Sequence, residues 1–452
     1  MALLPAGDPS MQAIHVIGVS AQVDPDSIDT SSASQNYLAL SEAALNALRD
    51  ATLIVGSVRQ LELVTSIVGS TKSDAECVKL PKLTELSSLL DEHAQERVVL
   101  LASGDPLYYG IGRWLSEYFP HREILFYPAV SSIQLACNRS GLSMQDVNVV
   151  SLHGRPVESI RTQLHRNRDL LVLTDGDSQP LRLAAECMAV GLELTSLTVF
   201  EKLGYADERI RSFDVKTLID SASTTRFDPL NVVLLRLSGM PDHPGRYLPS
   251  FPGIADHLFI TGAEPGRGMI SKREVRLIIL SYLAPEDNDV IWDIGAGCGS
   301  VAVELGYWNP RVSVLAIEHH PQRLECLEQN RQRFGVVKNL SIVAGHAPEA
   351  LSELLRPDKV FIGGSDGQLE TLLKIVWQDL PVGGRLVASA VTDTTNGILS
   401  DFACSLKTGR FECTELAVKR GTLAGENIGY QGKLPITVFC FVKTRLEEVA
   451  NK

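Results

Sequence analysis

Val290-Ile291-Trp292-Asp293-Ile294-Gly295-Ala296-Gly297-Cys298-Gly299-Ser300 is the stretch whose reading decides the fold of the C-terminal half. An apolar strand ends in Asp293, a glycine-rich turn follows, and Ser300 to Gly306 reads as a helix. Glycines let a backbone approach a ligand closely, and a helix N-terminus offers N–H groups with no internal partner. The next strand ends in Glu318, about 20 residues on, where a carboxylate suits the two hydroxyls of a ribose. A dinucleotide fingerprint, G-x-G-x-x-G, requires its third glycine where this chain has Ser300. The glycines fall instead at 295, 297 and 299, which disfavours a nicotinamide enzyme.

Outward from that loop, strand and helix signals alternate. Val312 to Ile317, Leu340 to Val343, Lys359 to Ile362 and Gly384 to Ala390 read as further strands. Cys413 to Val418 and Ile436 to Val442 lack a helix-length spacer and are expected as an antiparallel closing pair. Upstream, Ser238 to Gly245 and Pro249 to Gly253 are rich in proline and glycine, which places a boundary there, with domains at 12–245 and 246–452. The N-terminal half shows Ile14 to Val19 as a strand, 20–36 as a polar loop and Leu38 to Asp50 as a helix. Strands follow at Thr52 to Gly56, Arg97 to Ala102, Ile124 to Pro128 and Asp169 to Thr174. Residues 1–11 read as a loose tail. The alternation predicts α/β layers with largely parallel sheets in both halves, and without an internal repeat these are two different folds.

Composition narrows the function classes. At 452 residues the chain exceeds one ordinary core. With 44% hydrophobic and 21% charged residues it is globular, not disordered. A net charge of −12 and no long Lys/Arg run argue against nucleic acid as a partner. The 8 cysteines form no Cys-x-x-Cys pair, so reduced buried thiols are expected, with no metal site and no disulfide framework. No apolar run reaches membrane-spanning length and Met1 to Ser10 lacks a signal-peptide pattern, so a soluble cytoplasmic protein without a membrane partner is expected.

The loop Asp293 to Gly299 resembles that of class I methyltransferases, which use S-adenosylmethionine. Gly268 to Arg276, Gly345-His346-Ala347-Pro348-Glu349 and Asp358 to Ser365 narrow the resemblance to the decarboxylating precorrin methyltransferase domain of cobalamin biosynthesis (CbiT-like). The N-terminal half resembles a CbiE-like tetrapyrrole methylase. Its most specific stretch is Ala102-Ser103-Gly104-Asp105-Pro106-Leu107-Tyr108-Tyr109-Gly110-Ile111-Gly112, supported by Ser132 to Ala136, Val150 to Arg155, Thr174 to Asp177 and Asn231 to Leu234. The two in this order resemble the precorrin-6Y C5,15-methyltransferase family (CobL type), from about residue 12 onward. The resemblance implies a class III tetrapyrrole-methylase fold followed by a class I Rossmann-like methyltransferase fold, with one S-adenosylmethionine per domain. It further implies methylation of carbons 5 and 15 of a precorrin substrate, loss of carbon dioxide from the carbon-12 acetate, and assembly as a homo-oligomer. Methylation of another tetrapyrrole or another acceptor is the alternative. A non-catalytic cofactor-binding regulator finds no support, because both loops are intact.

Residue by residue, the resemblance assigns cofactor contacts to Gly18, Gly104, Asp105, Pro106, Ser131, Ser132, Asp175 and Asn231 in the N-terminal domain. Asp105 has a second reading, bracing its own turn. The first loop departs from the family, because Gly18-Val19-Ser20 leads into a polar stretch. In the C-terminal domain the contacts are Ser271, Asp293, Gly295, Ala296, Gly297, Cys298, Gly299, Glu318 and Ala347. Ser271 followed by Glu274 is also a capping-box signature, so Ser271 is expected to cap a helix. Lys272, Arg273 and Arg276 are candidates for the substrate's carboxylates, or are solvated. His346 stands where many methyltransferases place an acid near adenine, and is otherwise a surface histidine. The sequence singles out no catalytic acid or base, as a reaction governed by positioning permits.

Overall fold

The structure, a computed structural model, describes residues 11–23, 36–38, 40–68, 75–165, 168–239, 248–263, 268–406, 408–425 and 427–445. Residues 1–10 of the expected tail and 24–35 of the expected polar loop lie outside the described residues. Two compact units emerge. Unit 1 takes the described residues of Met1–Gly154, Asn167–Ala185 and Glu193–Gly239. Unit 2 takes those of Arg155–Arg166, Glu186–Leu192 and Met240–Lys452.

Unit 1 begins with β1 (Ile14–Val19) and a short antiparallel pair, β2 (Ala21–Val23) with β3 (Asn36–Leu38), so both ends of the expected polar loop are strands. Then come α1 (Glu42–Asp50), β4 (Leu53–Gly56), α2 (Val58–Val68), β5 (Glu76–Lys79), α3 (Leu83–Glu92), β6 (Val98–Ser103), α4 (Gly112–Tyr118), β7 (Ile124–Tyr127) and α5 (Ser132–Ser140). The expected helix from Leu38 starts later because Ser41 caps it, accepting the Ala44 N–H at 3.3 Å. The first sheet runs β5-β4-β6-β1-β7, all parallel. Its central strands are apolar on both faces: Ile14, Val16, Ile17, Ile54, Val55, Val98 and Leu100 are buried. That is the composition of a parallel sheet covered on both sides.

The second sheet corrects the expectation of largely parallel pairing. Its elements are β8 (Asn148–Ser151), β9 (Asp169–Leu173), α6 (Pro180–Ala189), β10 (Ser196–Glu201), β11 (Arg209–Asp214), α7 (Val215–Asp220) and β12 (Asn231–Arg236). The order is β11-β10-β12-β9-β8, and only β8 and β9 pair in parallel. β9 and β10, joined through α6, do point the same way, but β12 inserts antiparallel between them. Hydrophobic period reports the kind of element, not its neighbour.

Unit 2 carries α8 (Arg273–Leu283), β13 (Val290–Ile294), α9 (Ser300–Trp308), β14 (Ser313–Glu318), α10 (Pro321–Arg333), β15 (Leu340–Ala344), β16 (Lys359–Ile362), α11 (Leu369–Asp379), β17 (Arg385–Ala390) and α12 (Asp393–Ser405). It closes with β18 (Arg410–Leu416), β19 (Lys419–Ala424), β20 (Asn427–Gly432) and β21 (Ile436–Val442). The 7-stranded sheet has the order β15-β14-β13-β16-β17-β21-β18. β21 is antiparallel to both its neighbours, as expected of a closing pair. Between β18 and β21 the chain makes the hairpin β19–β20, whose β20 is exposed at every residue. The strand order reverses between β13 and β16, and the crevice at such a switch point is where open α/β sheets take ligands. α8 buries Val275, Ile279 and Leu283 along one face, each worth about 1.5–3 kcal/mol against exposure.

All eight cysteines are free, but Cys77, Cys404 and Cys413 are exposed, so the expectation of uniformly buried thiols fails at those positions. Among the described residues no helix is long and apolar enough to cross a membrane.

Candidate active site

In unit 2 the loop after β13 is folded tightly against the ends of β14 and β16. The N–H groups of Gly295 and Ala296 both reach Ile317 O at 3.0 Å, and Gly363 N–H reaches Ile294 O at 2.9 Å. Gly295 has φ +69°, and a Cβ there would lie 2.6 Å from the backbone of Gly364. Only glycine fits, because both the left-handed backbone and the backbone contact exclude a side chain. Glu318, 2% exposed, holds the loop from β14. Its Oε2 accepts the Gly297 N–H at 2.9 Å, and its Oε1 accepts the N–H groups of His319 and His320 at 2.9 Å. The structure thus brings Glu318 to the glycine loop.

Asp293 is buried beneath the loop and accepts the Ala302 N–H at 3.0 Å, which ties β13 to the first turn of α9. Burial pushes its carboxyl up to about 7, the Ala302 bond opposes this, and the nearby Glu318 charge raises it further. Cys298 lies in the same loop with its side chain turned into the core. Its side chain is 1% exposed and its thiol is pushed up to about 12, chiefly by burial. Its N–H goes to Met269 O at 3.2 Å, and its C=O accepts Asn330 Nδ2 at 2.8 Å. Cys298 therefore anchors the loop to the segment before α8 and to α10. Ala347 follows β15 in a cis peptide with Pro348 and is half-buried against the core.

The start of α8 overturns two expectations. Ser271 does not cap it: the N-cap is Lys272, without a side-chain cap bond. The Arg273 N–H is taken instead by Asp256 Oδ1 at 2.9 Å, a cap supplied from 17 residues upstream that no local pattern announces. Glu274 is likewise diverted, bonding Arg420 of β19 at 2.6 Å. Arg276, a candidate for the substrate's carboxylates, lies in the core. It is 0% exposed, pairs with Asp256 at 3.0 Å and Glu304 at 2.8 Å, donates to the carbonyls of Ser271 and Ile254, and stacks on Phe259. The cation belongs to the core because two buried carboxylates require it. Burial raises the Asp256 carboxyl, and the charges of Arg276 and Arg420 outweigh that and hold it low. Arg273 remains exposed, and Lys272 is half-buried with its ammonium lowered chiefly by desolvation. Arg420, unnoticed in the sequence, joins this cationic group.

His346 stacks on His319, with ring centroids 3.9 Å apart, at the edge of the cleft beside Glu318. Asp366 lies 3.3 Å from His319 Nδ1. One ligand atom from each of the three lies within 4.8 Å of the others. Imidazole lone pairs lie in the ring plane, so rings stacked face to face do not aim at one ion, and the arrangement reads as an aromatic wall.

In unit 1, loops after β1, β6 and β7 meet at one end of the parallel sheet. Gly18 is required for their approach: a Cβ there would lie 1.8 Å from Gly104 O. A cavity of about 640 Å³ opens beside them, within the range of small-molecule sites. Gly104, Ser131, Ser132, Asp175 and Asn231 line it. Gly18, Asp105 and Pro106 do not. Asp105 Oδ1 accepts the Leu107 N–H at 2.8 Å, the turn-bracing role. Ser131 and Gln134 form a full capping box at the start of α5. The Asp175 carboxylate accepts the N–H groups of Gly154, Asp177 and Ser178 and the Ser178 hydroxyl. Burial raises Asp175, and these bonds outweigh it and lower the carboxyl overall. Asn231 ties β12 to the same turn through Thr174 and Gln179. Both residues shape the wall. Arg59, Gln60 and Tyr205, which no motif singles out, complete it. Tyr108 and Tyr109 also line the cavity, edge to face at 5.0 Å.

Comparison with known proteins follows the same division. The tetrapyrrole (corrin/porphyrin) methylase family matches residues 38–219, and the precorrin methyltransferase domain family matches residues 265–443. A precorrin-6Y C(5,15)-methyltransferase [decarboxylating] from Sinorhizobium sp is 34% identical over 407 residues, 89% of this chain and 93% of that protein. The protein of the same name from Mycobacterium tuberculosis (strain CDC 1551 / Oshkosh) is 32% identical over 89% of this chain and 96% of its own length. A solved structure titled precorrin-6y C5,15-methyltransferase from Geobacter metallireducens GS-15 is 34% identical, with a TM-score of 0.38, covering 42% of this chain and 98% of its own. Fold, glycine loop and relatives define a methyltransferase that uses S-adenosylmethionine. Within that class, the chain belongs to the decarboxylating precorrin-6Y C5,15-methyltransferase family.

Proposed function

We propose that this chain methylates carbons 5 and 15 of precorrin-6 and removes carbon dioxide from the carbon-12 acetate, giving precorrin-8. Unit 2 carries the carbon-15 methylation and the decarboxylation, unit 1 the carbon-5 methylation, each with its own S-adenosylmethionine. The observation that carries this reading is the alignment of 89% of the chain, through both domains, with a relative whose name states both methylations and the decarboxylation.

Two strand-end cradles support it. In unit 2 the glycine loop and Glu318 fit a nucleoside: the carboxylate accepts three N–H groups and, of about four lone-pair sites, keeps one on Oε2 for a ribose hydroxyl. In unit 1 the candidates are the backbone of Gly104 and the start of α5 at Ser131 and Ser132. Bound S-adenosylmethionine supplies a methyl group on a sulfonium, so the protein needs no nucleophile of its own. The residues hold the donor in line with the acceptor carbon and exclude water, and alignment of this kind supplies up to about 7–11 kcal/mol of a barrier. Lys272 and Arg273 at the start of α8 are the candidates to neutralise the macrocycle's carboxylates in an otherwise acidic protein. Assembly into a homo-oligomer and a cytoplasmic location belong to the same proposal.

Calorimetric titration with S-adenosylmethionine tests the one-per-domain reading. Two sites per chain are expected, with Gly295→Ala and Gly18→Ala each removing one. A single site in the unaltered chain sinks it.

A further inference from the structure

We propose that Arg59 receives a carboxylate of the tetrapyrrole at the unit 1 site and so sets that site's specificity for a polycarboxylate macrocycle. The inference rests on the reading of unit 1 as the carbon-5 methylation site.

Charge singles the residue out. Arg59 is the only Lys or Arg among the described residues lining the 640 Å³ cavity. Among the described lining residues the one carboxylate, Asp175, is committed to its own turn through the bonds from Gly154, Asp177 and Ser178. Arg59 donates to a neutral partner, Ser103 Oγ at 3.3 Å, so its charge is not cancelled by that bond. A guanidinium has five N–H donors in a planar fork that matches a carboxylate.

Position separates Arg59 from the cofactor end. In the order β5-β4-β6-β1-β7, Gly18 lies at the end of β1, and Gly104 and Ser131 lie in the loops that follow β6 and β7. Arg59 follows β4, on the opposite flank of β6. The side chain is also presented by a fixed element. Ser57 and Gln60 cap α2 reciprocally, with Gln60 N–H to Ser57 Oγ at 3.3 Å and Ser57 N–H to Gln60 Oε1 at 2.8 Å. Gln60 Nε2 then reaches the same Ser103 Oγ at 3.1 Å, so the helix start, Arg59 and the end of β6 form one unit. The positive end of the 11-residue helix adds to the attraction for an anion. Tyr108, Tyr109 and Tyr205 supply flat apolar surface in the same cavity, suited to a macrocycle bearing acidic arms.

The alternative source of a carboxylate is the methionine part of the cofactor, and the test separates the two. Full-length Arg59→Met and Arg59→Lys proteins are assayed with precorrin-6 and methyl-labelled S-adenosylmethionine, scoring carbon 5, carbon 15 and carbon dioxide separately. Loss of one charge-assisted contact predicts a KM for the macrocycle at carbon 5 raised about 10–100-fold in Arg59→Met, with partial recovery in Arg59→Lys. Cofactor affinity, carbon-15 labelling and carbon dioxide release stay at the unaltered level and report that the chain is folded. An unchanged KM overturns the proposal. So does weaker S-adenosylmethionine binding with an unchanged macrocycle KM, which gives Arg59 to the cofactor. An unaltered chain that places no label on carbon 5 defeats the underlying reading instead.

Discussion

Replacing Arg276 by Met separates the two roles considered for this residue. Arg276 is 0% exposed and bridges Asp256 at 3.0 Å and Glu304 at 2.8 Å. Removing one partner of a buried ion pair leaves uncompensated charge and costs about 3–5 kcal/mol. The lower end applies here, because Glu304 keeps the N–H groups of Gly253, Ile254 and Trp308, and Asp256 keeps Arg420. For a unit of roughly 200 residues each kcal/mol moves Tm by about 2–4 °C, so a fall of about 6–12 °C is expected. Tryptophan fluorescence during thermal unfolding follows it well, since Trp308 donates to Glu304 itself at 3.0 Å. A Tm within about 2 °C of the unaltered protein, together with a precorrin KM raised tenfold, would refute the structural role and restore the substrate role.

Gly295→Ala places a Cβ 2.6 Å from the Gly364 backbone, and the expected outcome is loss of S-adenosylmethionine binding at the unit 2 site, with methylation at carbon 5 retained. Glu318→Gln has one acceptor oxygen where the carboxylate used two, and calorimetry is expected to show affinity at that site reduced about 10–100-fold. Burial pushes the folded Asp293 carboxyl up to about 7 from the ordinary 3.8. The folded state therefore keeps a proton the unfolded state has lost, so this contribution is full below about pH 4 and disappears as pH rises to about 7. At roughly 1.4 kcal/mol per unit, urea unfolding of the unaltered protein should lose up to about 4 kcal/mol across that window, and Asp293→Asn should flatten the slope. An identical slope in both proteins counts against the assignment.

Sequence reading reached the elements whose signal is local. Asp293 to Gly299 lies between β13 and α9, and Glu318 ends β14, because burial period and glycine spacing are written in consecutive residues. It failed where the deciding partner is distant. Ser271 and Glu274 carry a capping pattern, yet Asp256 and Arg420 take the bonds. Arg276 looks like a surface cation until Glu304, 28 residues on, folds beneath it. The antiparallel β12 inside the second sheet is a matter of pairing, which an apolar run does not encode. Arg59 belongs to no pattern of its own, and only the closure of the sheet end brings it into the cavity.

The central claim is that one chain performs two methyl transfers and one decarboxylation on a single macrocycle. Incubating the full-length protein with precorrin-6 and methyl-labelled S-adenosylmethionine, and analysing the product by mass spectrometry and carbon NMR, tests it directly. The account predicts two labelled methyl groups, at carbons 5 and 15, with one carbon dioxide released per product. A product that carries a single label and keeps its carbon-12 acetate would contradict it.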